Sequence, residues 1–145
     1  MLPYDTMTYI SMSWAGDLRV NISICDGLFT VCRLAPGDEL PAWSATSDFI
    51  SVTRSPDELS IVCCQHLVPQ EIQCSRNWRL MRIDGDLDLQ MIGVLSGLLA
   101  PLARAGVSVF VLSTYDTDYF MVPAQVLGQA AEVLKDEGHR VIGEK

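Results

Sequence analysis

The sequence predicts an α+β protein of two ferredoxin-like units side by side, with a mostly antiparallel sheet and helices on one face. Three observations predict it. Residues 78–143 read as strand, helix, strand, polar turn, strand, helix, strand, the βαββαβ order of a ferredoxin-like unit. Between the two central strands of that series lies Ser113-Thr114-Tyr115-Asp116-Thr117-Asp118, a dense set of hydrogen-bonding side chains. The first half carries a fainter strand–turn–strand copy: Thr53 and Thr114, and Asp57 and Asp118, share one offset, since 114 − 53 and 118 − 57 both equal 61. The expected organisation is a leader over residues 1–16, a degenerate unit over 17–77 whose first helix has eroded, and a complete unit over 78–145.

Leu18 to Ile24 alternates Leu18, Val20, Ile22 and Ile24 with polar partners, the pattern of a half-buried strand. Asp26-Gly27 predicts a hairpin turn back into a strand over Leu28 to Leu34. Two prolines and a glycine leave room for only a short helix in Ala35 to Thr46. Phe49 to Arg54 and Leu59 to Cys64 read as strands around the turn Ser55-Pro56-Asp57-Glu58. His66 to Asn77, broken by Pro69, reads as an irregular link with at most a helical turn. A strand follows over Arg79 to Ile83.

The helix expected from Met91 to Ala105 rests on Met91, Leu95, Leu98 and Leu102 at helical spacing, widened by Ile92 and Leu99. Gly106 suits its C-cap, and Pro101 should bend or loosen it. Val107 to Leu112 is apolar at almost every position, as in a central strand. Pro123 opens a last helix with Val126 or Leu127, Ala130 and Leu134 inward; Gly138 ends it, and Arg140 to Ile142 closes the sheet.

With 145 residues, 49 % hydrophobic and 19 % charged, the chain is long and apolar enough for a core without metal or disulfides. A net charge of −8 argues against nonspecific nucleic-acid binding. The start lacks the basic residues and apolar run of a signal peptide, and no stretch of about 18 apolar residues suits a membrane span. A cytoplasmic setting is expected.

Five cysteines, Cys25, Cys32, Cys63, Cys64 and Cys74, show no CxxC spacing and read as reduced thiols. Cys25, Cys32 and Cys63 should be buried, with Cys74 in the polar link the most reactive. No orienting acid is suggested beside His66, so a cysteine nucleophile is not expected. His139, after a helix end, should be exposed or capping. No phosphate loop, dinucleotide fingerprint, zinc-protease or hydrolase motif is present, and Asp84-Gly85-Asp86-Leu87-Asp88 lacks the closing Glu of a calcium loop. Neither a cofactor, a metal nor a catalytic residue is expected; the chain reads as a non-enzyme.

The run GVSVFVLSTYDTDYFMVP (Gly106 to Pro123) resembles the signature of small tandem ACT-domain proteins and is similar to the ACT domains of Castor-type arginine sensors. VCRLAPGDELPAW (Val31 to Trp43) and SVTRSPDELSIVC (Ser51 to Cys63) resemble the matching N-terminal signatures. The resemblance implies βαββαβ regulatory modules that bind an amino acid at the interface between two units. It implies ligand-binding roles for Gly93, at the start of the first helix, and for Thr114, Tyr115, Thr117 and Asp118, in the turn that lines the arginine pocket. Met91 falls where those sensors place an acidic ligand-contacting residue, a departure that counts against arginine itself.

The residues favour such a pocket independently. A helix N-terminus offers N–H groups to a carboxylate, Gly93 permits close backbone approach, and Asp116 or Asp118 can receive an ammonium group. The expected function is a regulatory sensor of a small ligand, an amino acid, acting as a homodimer or on a partner protein. The alternative is a structural or dimerisation module without ligand.

Overall fold

The computed structural model describes residues 19–84 and 93–143. Its strands are β1 (Asn21–Ile24), β2 (Phe29–Leu34), β3 (Ser51–Arg54), β4 (Leu59–Cys64), β5 (Cys74–Ile83), β6 (Phe110–Ser113), β7 (Asp118–Pro123) and β8 (Arg140–Ile142). Helix α1 (Val94–Arg104) joins β5 to β6, and α2 (Leu127–Asp136) joins β7 to β8. Three single 3₁₀ turns, Ala42–Ser44, Gln65–Leu67 and Ala124–Val126, complete it. Among the described residues this is an α+β fold: two helices and one eight-stranded sheet whose pairings are antiparallel except β1 with β8.

Strand β5 organises the sheet. On one side it pairs first with β2, through Cys32↔Cys74 and Phe29↔Trp78, and then with β1, through Ile24↔Met81 and Ile22↔Ile83. On the other side it pairs with β7, through Trp78↔Pro123 to Arg82↔Tyr119. It runs without interruption through Asn77 and Trp78 and begins at Cys74, five residues before the strand the sequence predicts. The expected hairpin at Asp26-Gly27 is therefore corrected. β1 and β2 lie end to end along the same strand, and Cys25 N–H continues the ladder to Leu80 O at 2.9 Å. Gly27 takes φ +84, the conformation that serves a bulge as well as a hairpin, so the dipeptide alone does not separate the two.

β6 is a second correction. It pairs with β7 alone and stands at the edge of the sheet, with Val111 exposed. Phe110 and Leu112 are packed on one face, which explains an apolar run that imitates a central strand.

The strand–turn–strand copy is real in geometry, at a different offset. β3 and β6, β4 and β7, and the 3₁₀ turns after them start 59 residues apart: 110 − 51, 118 − 59 and 124 − 65. The offset of 61 pairs residues that do not correspond. Between the first hairpin's strands, Ser55 N–H donates to Glu58 O at 2.9 Å; Thr114 N–H does the same to Thr117 O at 2.9 Å, and both hydroxyls accept from the turn's own backbone.

Three apolar clusters follow the alternation of these strands. Ile22, Ile24, Met81, Ile83, Phe120 and Val122 face the helices, meeting Val94, Leu98, Leu102, Leu127, Ala130 and Leu134. Phe29, Val62, Leu80 and Met121 form a cluster on the opposite face. There the sheet curls until Phe49, beside edge strand β3, meets Tyr119 on β7 with ring centroids 4.8 Å apart. Cys32, Leu59, Ile61, Cys63 and Val68 form the third, covered among the described residues by Trp43 and Ile72.

Both helices end as expected. Gly106 at φ +78 donates to Ala103 O and Val107 N–H to Leu102 O; Gly138 and His139 repeat the pattern on Lys135 O and Leu134 O. Pro101 lies inside α1 and has no N–H for the carbonyl of Gly97 four residues earlier. His139 lies beside that carbonyl. It is buried at 7 % exposure, where an exposed or capping position is expected from the sequence. Its Nδ1 accepts from Val20 N–H at 3.2 Å, which leaves the proton on Nε2, and the Gly97 backbone is close enough to the ring to raise its pKa.

Burial lowers the His139 pKa, more than Glu137 and the Gly97 carbonyl raise it. The folded protein therefore keeps the ring neutral while the unfolded chain takes up a proton near pH 6.5. The contribution is complete above about pH 6.5 and is lost as pH falls from there towards the lowered folded value. Urea midpoints of the native chain should drop between about pH 7.5 and about pH 5.5, and His139→Gln should flatten that segment. An equal drop in the variant would assign the pH dependence to other groups.

Candidate functional site

The turn between β6 and β7 is built by its threonines. Thr114 Oγ1 donates to Thr117 O at 3.0 Å and accepts from Thr117 N–H at 3.2 Å. Thr117 is 6 % exposed, and its hydroxyl donates to Ile83 O at 2.6 Å. This bond fastens the turn to the last residue of β5, where the chain leaves towards Gly93 and α1. Beside it, Ser23 Oγ donates to Asp84 Oδ2 at 2.5 Å, and Asp84 N–H donates to Asn21 O at 2.8 Å. The start of β1, the end of β5 and the Thr114–Asp118 turn thus meet at one point.

The expected site residues separate into distinct roles. Thr117 is spent on the fold. Thr114 is spent on the turn. Tyr115 is 84 % exposed, with its ring in solvent. Asp118 opens β7 opposite Ser113, partly buried, and no hydrogen bond or ion pair to its carboxylate occurs among the described residues. Gly93 is the N-cap of α1 at φ +88, a conformation that favours glycine, and it brings no side chain to cap the helix. No hydrogen bond among the described residues joins Gly93 to the turn. Met91 lies outside the described residues.

A cleft that the sequence reading missed lies at the opposite end of β5. One lobe, about 570 Å³, is lined by Gly27, Leu28, Gln65, His66 and Arg76, and a second, about 390 Å³, shares Leu28 and Arg76 and extends to Pro123 and Gln125. It forms where β5 bulges. Three residues, Ser75 to Asn77, lead into Trp78 against the Phe29–Val31 stretch, and Asn77 takes φ +67. The Gln65 amide holds that bulge, accepting from Asn77 N–H at 2.6 Å and donating to Asn77 Oδ1 at 3.0 Å. The Asp26-Gly27 dipeptide was the available signal, read as a hairpin instead of a break beside a bulge.

The thiols follow the fold. Cys32 and Cys63 are buried, Cys25 and Cys74 half-buried. Burial pushes the Cys25 thiol up. The neighbouring Cys63 thiol and burial raise the Cys32 thiol, and Cys32 lowers that of Cys63. Among the described residues, no group of three or more potential ligand side chains is placed to hold a metal ion. Nor is any helix among them long and apolar enough to cross a membrane.

A sheet backed by two helices in this order, with the β5–α1 exit beside the β6–β7 turn, defines a small α+β module. Residues 73–136 match the family model of the ACT domain, and residues 27–71 match a separate model of an N-terminal domain. Over residues 73–136 the chain is thus similar to ACT domains.

It is similar to the human cytosolic arginine sensor for mTORC1 subunit 1, 36 % identical over 59 residues, which are 40 % of this chain and 18 % of the sensor. The chain therefore spans less than a fifth of the length of the curated relatives it matches. A crystal structure of a protein from Agrobacterium tumefaciens matches with a TM-score of 0.83 at 31 % identity, over 88 % of this chain and 96 % of that one. The ligand-free regulatory subunit of aspartate kinase from Thermus thermophilus shares the fold, with a TM-score of 0.58 at 10 % identity over 83 % of this chain and 99 % of that one.

Proposed function

We propose that the protein is an amino-acid-binding regulatory module in which the ligand sits between the N-terminus of α1 and the Thr114–Asp118 turn. The observation that carries this reading is the Asp118 carboxylate, without a hydrogen bond or ion pair among the described residues, beside a turn fastened to the end of β5. Asp118 would receive the ammonium group, and the first N–H groups of α1, uncapped by Gly93, would receive the carboxylate. Met91 belongs to the same proposed site. Thr114, Tyr115 and Thr117 shape and border it. The reading draws support from relatives named as an arginine sensor and as a regulatory subunit of aspartate kinase.

In this reading the chain holds two ACT-like units, 17–77 and 78–145, after a leader over 1–16. The matching hairpins 59 residues apart support the duplication. β5 closes the first unit and opens the second, and the two 3₁₀ turns of the first stand where helices would be. The protein works by binding rather than catalysis, in the cytoplasm, and passes its signal by altered association with a second copy or a partner protein.

A thermal-shift panel of the twenty amino acids tests the reading. A ligand at 100 times its Kd should add about 2.7 kcal/mol of stability. A flat panel would refute amino-acid binding and favour a module that serves assembly alone.

A further inference from the structure

We propose that Cys32 and Cys74 form a reversible disulfide, a thiol-oxidation site across the β2–β5 pair. The two residues are direct partners in register. Arg33 N–H donates to Gln73 O at 2.9 Å, so 33 and 73 are a hydrogen-bonded pair and Cys32 and Cys74 are the adjacent non-hydrogen-bonded pair. Such pairs bring Cα atoms to about 4.5 Å and turn side chains towards each other. That separation lies within the range of about 4.4–6.8 Å that a disulfide spans.

Cys63 is the competing partner, and geometry disfavours it. Its register partner on β2 is Thr30, so it stands diagonal to Cys32. Diagonal neighbours lie about 7–8 Å apart, beyond the reach of a disulfide without backbone movement. In the reduced protein the Cys32 thiol lies in one cluster with Cys63, and the Cys74 thiol donates to Ile72 O at 3.3 Å. Closing the bond needs rotation of two side chains and no change of register.

The order of events follows from access. Cys32 is 1 % exposed while Cys74 is half-buried at the first position of β5. With a low-molecular-weight disulfide as oxidant, the Cys74 thiolate attacks one sulfur, forms a mixed disulfide and releases one small thiol. The Cys32 thiolate then attacks the Cys74 sulfur and releases the second. Two protein thiols lose two electrons and two protons, and both end on the two small thiols. In a reducing compartment such a bond is transient, as redox-sensing disulfides are. It would clamp β2 to β5 two residues before Arg76, on the near side of the Asn77 bulge that shapes the cleft.

The test uses the native full chain with graded ratios of oxidised to reduced glutathione, followed by intact mass and non-reducing peptide mapping. The expected result is loss of two hydrogen masses, a Cys32–Cys74 linked peptide, reversal by reduced glutathione and a raised melting temperature. Cys32→Ser should leave a trapped glutathione adduct on Cys74, and Cys63→Ser should leave the linkage intact. A wild-type map showing only glutathione adducts, no oxidation, or a link from Cys32 to Cys63 or Cys64 would overturn the proposal. That map depends on no variant, so misfolding of a mutant does not affect it.

Discussion

Phe120→Ala is expected to destabilise the protein by about 3–5 kcal/mol, the largest effect of any single truncation argued here. Phe120 is fully buried, and in the middle of β7 it faces the helix side of the sheet, in one cluster with Leu98, Leu102 and Leu134. Its strand is held by β5 on one side and β6 on the other, so the backbone cannot collapse into the space the ring leaves. Stabilities of domains this size run about 5–15 kcal/mol, so the loss takes a large share of the whole. The urea midpoint should fall with the slope unchanged, and the melting temperature by about 6–20 °C. A loss below about 1 kcal/mol would show that the helices repack over the gap.

Asp118→Ala is expected to weaken binding of the amino acid that gives the largest thermal shift by about 1.5–3 kcal/mol, roughly 10- to 150-fold. The carboxylate makes no hydrogen bond or ion pair among the described residues, so its removal should change stability by no more than about 0.5 kcal/mol. That separation of effects distinguishes it from Thr117. Thr117→Val would orphan the buried Ile83 carbonyl and cost about 1–3 kcal/mol of stability whatever it does to binding. Calorimetry on Asp118→Ala decides: unchanged affinity would remove Asp118 from the site, and with it the ammonium contact on which the proposed pose depends.

The second half of the chain was legible because its signals are local. Leu95, Leu98 and Leu102 repeat within one helix, and Gly106 and Gly138 each close the turn just before them. Pairings between distant strands leave no such mark. Nothing in Leu18 to Ile24 says that β1 will lie between β5 and β8, because alternation reports a half-buried strand and not its neighbours. Asp26-Gly27 failed for a related reason: one positive φ at Gly27 satisfies two different strand geometries. Val107 to Leu112 read as central because Phe110 and Leu112 are half-buried on one face even at an edge. His139 could be placed only once Pro101 had left a carbonyl unpaired on a helix 42 residues earlier (139 − 97). At the site, the turn was found by composition, but Thr117's bond to Ile83 is a tertiary contact that composition does not carry.

β5 makes the two halves of this chain a single mechanical object. A strand hydrogen-bonded to β2 and β1 on one flank and β7 on the other offers no hinge about which one half can swing. Any influence passing from the β6–β7 turn to the bulge at Asn77 travels along one backbone, as a change in strand twist or ladder tension rather than a rotation of bodies. The same continuity denies the halves separate melting. Once β5 frays, both hairpins lose their scaffold, and unfolding proceeds as one cooperative event.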